Sequence, residues 1–176
     1  MPRLIARLVV CLSLLGSVAA AENWPRFRGP TGQGHSAETG LPLEWGPDRN
    51  IAWRTEIAGE GWSSPIVWDE HVFVTAVTDD GASCHVLALD RDSGKILWDP
   101  ELFTQELKRK ENKNSYATPT PCTDGERVYA CFADGSFVAL DFDGSVLWTN
   151  RDFPFYSKHG LGESPIVYQD LLIMPR

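Results

Sequence analysis

The chain has 176 residues, of which 43% are hydrophobic, 11% aromatic and 23% charged. This is the composition of a folded globular protein, and it excludes wholesale disorder and a collagen-like repeat. The formal net charge is −8 and the isoelectric point is near 4.9, so the chain is repelled by phosphate backbones. Nucleic acid is therefore not expected as a partner.

The first 21 residues are organised like a secretory signal peptide. Two arginines lie in residues 1–7, residues 8–21 are uncharged, and an alanine triplet ends at Ala21. A membrane anchor is the alternative interpretation, but this uncharged run is shorter than the roughly 20 residues that span a bilayer. We therefore expect cleavage after Ala21, export to the periplasm or the extracellular space, and no transmembrane segment in the mature chain.

After an extended N-terminal segment over residues 22–49, the chain becomes repetitive. HVLALDRDSGKILW (His85–Trp98) and SFVALDFDGSVLW (Ser136–Trp148) share an apolar strand, Ala-Leu-Asp, a glycine turn and a short strand ending in tryptophan. Trp53 ends an earlier copy, so the tryptophans are spaced by 45 and 50 residues. A second marker, Ser-Pro or Thr-Pro at 64–65, 118–119 and 164–165, is spaced by 54 and 46. Two markers with one period indicate a repeat of supersecondary units.

Each unit is predicted to be a four-stranded antiparallel meander. Asp-Gly dipeptides at 124–125, 134–135 and 143–144 predict tight hairpin turns, because both residue types tolerate positive φ. The strands of this unit are predicted over residues 117–123, 126–133, 136–142 and 145–149. In chain order, the repeat region is predicted to hold a single outer strand over 50–57, one full unit over 64–98, a second over 117–149 and the start of a third over 164–176.

The middle strands predict how the units pack. Val128–Phe132 and Phe137–Leu140 are apolar at successive positions. Such strands are buried on both faces, so each sheet must lie between two others. Radial stacking achieves this, whereas a sandwich covers only one face of each sheet. The predicted fold is an all-β propeller of four-stranded antiparallel blades, of which this chain holds about two and a half.

The repeat carries a family resemblance. The pattern A-L-D-x-x-[ST]-G-x-[IV]-L-W, complete at 88–98 and one residue shorter at 139–148, resembles the repeat of the pyrroloquinoline quinone (PQQ) propeller superfamily. NWPRFRGPTGQG (23–34), LPLEW (41–45) and GWSSPIV (61–67) are similar to segments of exported bacterial PQQ-like repeat proteins. This superfamily includes the outer-membrane assembly factor propeller and the quinoprotein dehydrogenases. The resemblance implies that Trp53, Trp98 and Trp148 pack between blades.

The resemblance also implies a ring of seven or eight blades with about 50 residues in each. On that basis we expect this chain to be the N-terminal fragment of a full propeller. A ring assembled from several short chains is the alternative.

Two classes of function follow from the resemblance. The first is a non-catalytic scaffold or binding module for an unidentified protein or small-molecule ligand, and the alternative is a PQQ-dependent dehydrogenase. In the resembling dehydrogenases, calcium and PQQ lie at the channel mouth beside a disulfide between adjacent cysteines, and an aspartate is the base. This sequence has no Cys-Cys pair, so the scaffold is favoured and no catalytic residue or metal ligand is assigned. PQQ with calcium is expected only in a full-length propeller, and a remnant without function is a third interpretation.

Candidate ligand contacts precede the first strand of each blade, because the innermost strands of a propeller line its channel. Trp62, Tyr116 and Glu163 hold these positions, and Glu163 is the only carboxylate among the residues immediately before these strands. The alternative, which we favour, is that serine and threonine side chains here satisfy backbone groups where the strands begin.

Two further clusters have structural interpretations. Asp90 and Gly94, like Asp141 and Gly144, could belong to calcium loops, but hairpin turns explain them without a metal. The basic cluster Leu107–Asn114 predicts a solvated loop, and contact with an anionic partner is the alternative.

Three cysteines remain after the predicted cleavage, and their spacing matches no metal or redox motif. We expect Cys84, Cys122 and Cys131 to be small buried side chains. A two-residue turn at Asp124-Gly125 would place Cys122 opposite Arg127 and Cys131 opposite Thr118. No Cys122–Cys131 disulfide is therefore expected.

Overall fold

The computed structural model describes residues 21–175, so the predicted signal peptide lies outside the described residues apart from Ala21. The described residues form eleven β-strands and no α-helix, in three antiparallel sheets, which confirms the all-β architecture. None of their helical turns has the length and apolar character needed to cross a bilayer. The strands are β1 (Ile66–Trp68), β2 (His71–Thr78), β3 (Ser83–Asp90), β4 (Ile96–Trp98), β5 (Glu101–Thr104), β6 (Cys122–Thr123), β7 (Arg127–Cys131), β8 (Phe137–Asp141), β9 (Val146–Asn150), β10 (Ile166–Tyr168) and β11 (Leu171–Ile173).

The second blade is the predicted meander, with strand order β6-β7-β8-β9. Its first strand is much shorter than the predicted 117–123, since only Cys122 and Thr123 belong to a ladder. Pro119 and Pro121 explain the difference, because proline has no backbone N–H to donate to a neighbouring strand.

The predicted register of β6 against β7 was wrong by two residues. Cys122 pairs with Tyr129 rather than with Arg127, so Gly125 and Glu126 are the central turn residues. The Asp124 carboxylate selects this turn, because its Oδ1 accepts hydrogen bonds from the backbone N–H groups of Glu126 (2.9 Å) and Arg127 (2.7 Å).

The first blade has the order β1-β2-β3-β4 and an additional strand, β5, which the sequence did not predict. β3 has eight residues and β4 only three, so β4 leaves part of the β3 edge uncovered. β5 pairs with this part of β3, between Ser83 and His85. The connection between the first and second blades is therefore partly sheet rather than all loop.

The predicted outer strand over residues 50–57 is not part of any ladder within the described chain. A β-strand needs a hydrogen-bonded neighbouring backbone, and none of the eleven strands pairs with the backbone of this segment. Side chains attach it to the first blade instead: Trp53 Nε1 donates to the Arg91 carbonyl (2.7 Å) and Thr55 Oγ1 donates to the Gly94 carbonyl.

Both faces of the first two sheets are buried, as the apolar strands predicted. The main core lies between the first and second blades, and it includes Phe73 on β2 and Val138 on β8. The opposite face of the first blade packs on Trp53 and Ile57. The opposite face of the second blade packs on Val167 and on Leu172 from β10 and β11.

Trp53 and Trp98, two of the three repeat tryptophans, make the same contact between successive units. Trp98 Nε1 donates to the Phe142 carbonyl of the second blade (2.8 Å), just as Trp53 Nε1 donates to the Arg91 carbonyl of the first. Each indole covers the glycine of the turn that it meets: a Cβ on Gly144 would lie 2.8 Å from Trp98, and one on Gly94 would lie 2.3 Å from Trp53. Trp148 contacts Tyr129 of its own blade and remains 39% exposed.

Candidate functional site

The segments that precede β1, β6 and β10 contact one another at one end of the blades. We call residues 59–65, 105–121 and 155–165 together the loop face. Ser64 N donates to Thr120 Oγ1 (3.0 Å), and Thr120 N donates to Ser164 Oγ (3.0 Å). Because each hydroxyl residue lies two positions before its strand, Thr120-Pro121 is the structural equivalent of the other Ser-Pro pairs. The assignment of Thr118-Pro119 was therefore shifted by two residues.

Two glycines place Glu60 on the loop face. Glu60 forms an isolated antiparallel bridge with Val77 of β2, with N···O distances of 2.9 and 2.8 Å. A Cβ on Gly59 would lie 2.1 Å from the Val77 carbonyl oxygen, and one on Gly61 would lie 2.3 Å from that of Thr75. Only glycine allows this close approach, which leaves the Glu60 side chain exposed beside Trp62.

Tyr116 is fixed on three sides. Its hydroxyl donates to the Lys108 carbonyl (3.0 Å), and the Lys110 ammonium lies 4.4 Å from the centre of its ring. The ring also lies against Gly81, where a Cβ would be only 2.4 Å away. The ring is therefore a rigid wall whose position depends on a glycine in the preceding blade.

A cleft of about 550 Å³ brings Trp62 and Tyr116 together. Trp62 is 52% exposed, and its backbone N–H donates to the Ala117 carbonyl (3.0 Å). This volume lies within the roughly 300–1,000 Å³ range of small-molecule sites. The cleft is lined by Glu60, Trp62, Asp80, Lys110, Asn112, Asn114 and Tyr116.

The two aromatic residues of this cleft were predicted from the sequence, whereas its charged rim was not. Asp80 was assigned no binding role, and Lys110 was placed in a cluster interpreted as a solvated loop, with contact with an anionic partner as the alternative. Glu60 carried a usable signal, because a charged residue between two glycines indicates close approach of the backbone to another strand.

Two of the six non-glycine residues with positive φ in the described part of the chain lie beside the cleft. Asp79 and Asp80 have φ values of 49° and 57°, in the left-handed region that favours glycine. Neither carboxylate accepts a hydrogen bond from the rest of residues 21–175, although aspartate usually tolerates this conformation by bonding locally. Strained residues of this kind concentrate at functional sites.

Glu163 does not belong to the cleft. Its carboxylate is exposed, and its Oε2 accepts a hydrogen bond from the Gly162 backbone N–H (3.2 Å). The structure therefore brings together two of the three candidate residues and leaves Glu163 outside.

The basic cluster Leu107–Asn114 is tied to the loop before β10. Glu111 N donates to the Lys158 carbonyl (2.7 Å), and the Glu111 carboxylate lies 3.5 Å from Lys158 Nζ and 3.3 Å from His159 Nδ1. The Tyr156 hydroxyl donates to the Arg109 carbonyl (3.2 Å). These contacts hold the cluster within the loop face. Lys110 is the residue of the cluster that packs on the Tyr116 ring.

The aspartates of the repeat turns act within their own turns. Asp90 Oδ1 accepts from Ser93 N (2.8 Å), and Asp141 Oδ1 accepts from Ser145 N (2.8 Å). The hydrogen bond from the Ser93 hydroxyl is the main cause that lowers the pKa of Asp90. Among residues 21–175, no group of three or more histidine, cysteine, aspartate or glutamate side chains is arranged to hold a metal ion.

The chain matches the family model described as outer membrane protein assembly factor BamB, over residues 44–151 and 86–176. No curated protein sequence matches significantly. Among solved structures, BamB from Moraxella catarrhalis is 23% identical with a TM-score of 0.53, and the match covers 70% of this chain. The quinohemoprotein alcohol dehydrogenase ADHIIG from Pseudomonas putida HK5 is 17% identical with a TM-score of 0.50, again over 70% of this chain.

At these identities the structural matches establish the fold alone. The aligned region spans only 36% of the BamB structure and 18% of the dehydrogenase. The family model, in contrast, matches most of the sequence, and its two matched ranges overlap over residues 86–151. The chain therefore belongs to the BamB-like family of PQQ-like β-propeller repeat proteins.

Proposed function

We propose that the chain is the blade-forming part of an exported, non-catalytic propeller that binds another molecule through its loop face. The observation that carries this proposal is the cleft at Trp62. A large aromatic side chain is held there by its backbone yet half exposed, in the manner of residues that dominate binding interfaces. The serine and threonine hydroxyls at the strand starts accept backbone hydrogen bonds, which supports a structural role for them.

A PQQ-dependent dehydrogenase is the alternative, and the cleft residues do not fit its cofactor site. A quinone site needs a cation at the quinone oxygens, a carboxylate base and a dry aromatic pocket. Here the Lys110 ammonium covers a face of Tyr116, and Trp62 is open to water. Glu163, the carboxylate predicted for such a site, lies outside the cleft.

Titration of PQQ and calcium into residues 22–176, followed by tryptophan fluorescence, tests the two functions. We expect no saturable quenching and no dye reduction with alcohols or sugars. Calcium-dependent, saturable quenching that disappears in Glu163→Ala would establish the dehydrogenase instead.

Export is tested separately. The first 49 residues, fused to a reporter enzyme that is active only outside the cytoplasm, should confer activity on bacterial cells. Replacing Leu14 and Leu15 with arginine should abolish that activity, because a charged core no longer inserts into the export machinery. Activity that survives this change would contradict export through the predicted signal.

A further inference from the structure

We propose that the Trp62 cleft binds the basic side chain of an arginine or lysine within a peptide segment, an inference that rests on the proposed binding function and specifies its ligand. The cleft joins two chemically different sides. Glu60, Trp62 and Asp80 come from the first blade, whereas Lys110 and Asn112 come from the loop before the second blade. The first side is suited to a cation and the second to hydrogen-bond acceptors.

The carboxylates on the first side have no cation of their own. Within residues 21–175, neither Glu60 nor Asp80 makes an ion pair, whereas other carboxylates of these blades do. Glu70 pairs with Arg91, and Asp124 pairs with Arg127. A basic group that enters the cleft would supply the missing counter-charge.

Trp62 gives the cation a surface to stack on. Tryptophan is the most favourable aromatic partner for ammonium and guanidinium groups. The face of Tyr116 already carries Lys110, whose ammonium also donates to the Asn114 carbonyl. The fixed cation thus occupies the loop side, and Trp62 remains available to the ligand.

The hydrogen-bond donors on the second side, Lys110 and Asn112, favour a peptide over a simple amine. Lys110 uses one N–H on Asn114, so its remaining N–H groups are available as donors. The Asn112 side chain is exposed and makes no hydrogen bond within the described residues. Both can donate to the backbone carbonyls that flank a basic side chain in an extended peptide.

The strained turn fits this role. Asp80 holds its carboxylate at the cleft in a conformation that glycine would adopt at lower cost. The net charge of −8 adds long-range attraction for a basic segment.

The experiment measures peptide binding to residues 22–176 immobilised on a sensor surface, with and without Trp62→Ala. The probes are a blocked pentapeptide with a central arginine, the same peptide with neutral citrulline, and free methylguanidinium. We expect the arginine peptide to bind at least tenfold more tightly than the citrulline peptide and than methylguanidinium. Trp62→Ala, Glu60→Gln and Asp80→Asn should each weaken binding by about fivefold, which is the effect of losing about 1 kcal/mol.

Asp80→Asn keeps the left-handed turn, since asparagine tolerates positive φ. Asp170→Asn, an exposed carboxylate at the β10–β11 turn, is the matched control and should leave binding unchanged. Equal binding of citrulline, absence of arginine binding, or methylguanidinium that binds as well as the peptide would overturn the inference. None of these outcomes bears on the proposed function, which is tested separately by the PQQ titration and by the export reporter.

Discussion

Two of the three repeat tryptophans, Trp53 and Trp98, each connect their own segment to a turn of the following blade. For Trp98 the connection combines an indole hydrogen bond to the Phe142 carbonyl with burial of the ring over Gly144. The same two contacts recur at Trp53 with Arg91 and Gly94, which shows that the contact belongs to the repeat. Small side chains lie opposite the large ones, since Ala88 pairs with Trp98 and Ala139 pairs with Trp148.

Replacing Trp98 and Trp148 should therefore have unequal effects. We expect Trp98→Ala to lower the free energy of unfolding by about 3–5 kcal/mol, because it empties the space between two blades. Trp148→Ala should cost less than half as much, since this indole is 39% exposed. Urea midpoints at matched low protein concentration measure both variants, and equal shifts would contradict an inter-blade role for Trp98.

Asp124 makes the hairpin between β6 and β7 sensitive to acid. Partial burial by itself would raise the pKa of Asp124, but hydrogen bonds from Glu126 N, Tyr129 Oη and Arg127 N outweigh burial and lower it. A lowered pKa means that the carboxylate stabilises the fold above its ordinary pKa of about 4. That contribution is lost as pH falls through the lower, folded value.

We expect Asp124→Asn to reduce the loss of stability between about pH 5 and pH 2. Urea midpoints across this range provide the measurement. Asp143→Asn is the control, because the Asp143 carboxylate accepts no hydrogen bond within the described residues. A steeper acid limb in Asp124→Asn would show that the sign of this argument is wrong.

At the scale of elements, the sequence predicted what local chemistry determines. The β6–β9 meander follows from its Asp-Gly turns, and the burial of β7 and β8 follows from their continuous apolar runs. The register of β6 could not be predicted, because an Asp-Gly pair can occupy either of two turn positions. The hydrogen bonds of the Asp124 side chain decide between them. β5 was missed because it depends on the unequal lengths of β3 and β4.

The cleft residues also divide into those that could be predicted from the sequence and those that could not. Trp62 and Tyr116 could be predicted because they precede inner strands. Glu60 could not be placed without the Val77 bridge, which joins segments that only the tertiary fold brings together.

The N-terminal segment also depends on tertiary contacts. Trp24 exchanges two backbone hydrogen bonds with Val67 on β1, and the Pro25 carbonyl accepts from Thr123 N on β6 (2.9 Å). The segment thus covers the exposed edges of the inner strands of two successive blades. Edges covered in this way are protected from pairing with other chains.

The corrected register changes the reasoning about the cysteines but not the prediction. Cys122 pairs with Tyr129, and Cys131 pairs with Phe137 on the far side of β7, so the two side chains are not cross-strand partners. Burial raises the pKa of Cys122 to about 12. We expect iodoacetamide to label Cys122 only after unfolding, and non-reducing peptide mapping to yield no Cys122–Cys131 peptide.

Rapid labelling of the folded chain would contradict the burial of Cys122. A linked Cys122–Cys131 peptide would contradict the observed register.

At the scale of the whole molecule, the three sheets differ in how completely they are covered. The first blade is covered on both faces, by residues 53–57 and by the second blade. β10 and β11 form only a two-stranded sheet, and the apolar side chains of Tyr168, Leu171 and Ile173 are exposed on it. Val146 and Leu147 on β9, the last strand of the second blade, are also exposed, each 47%.

Residues 22–176, expressed alone, should therefore associate. Apolar side chains beside an unpaired strand edge offer both hydrophobic area and backbone groups to a second chain. Light scattering after size exclusion should report a mass above that of the monomer, increasing with concentration. The double variant Leu147→Lys and Leu171→Lys should shift the distribution towards monomer, whereas Leu43→Lys, remote in sequence from these strands and 95% exposed, should not. A monodisperse monomer with one cooperative urea transition would show that two blades and a hairpin form a self-sufficient domain.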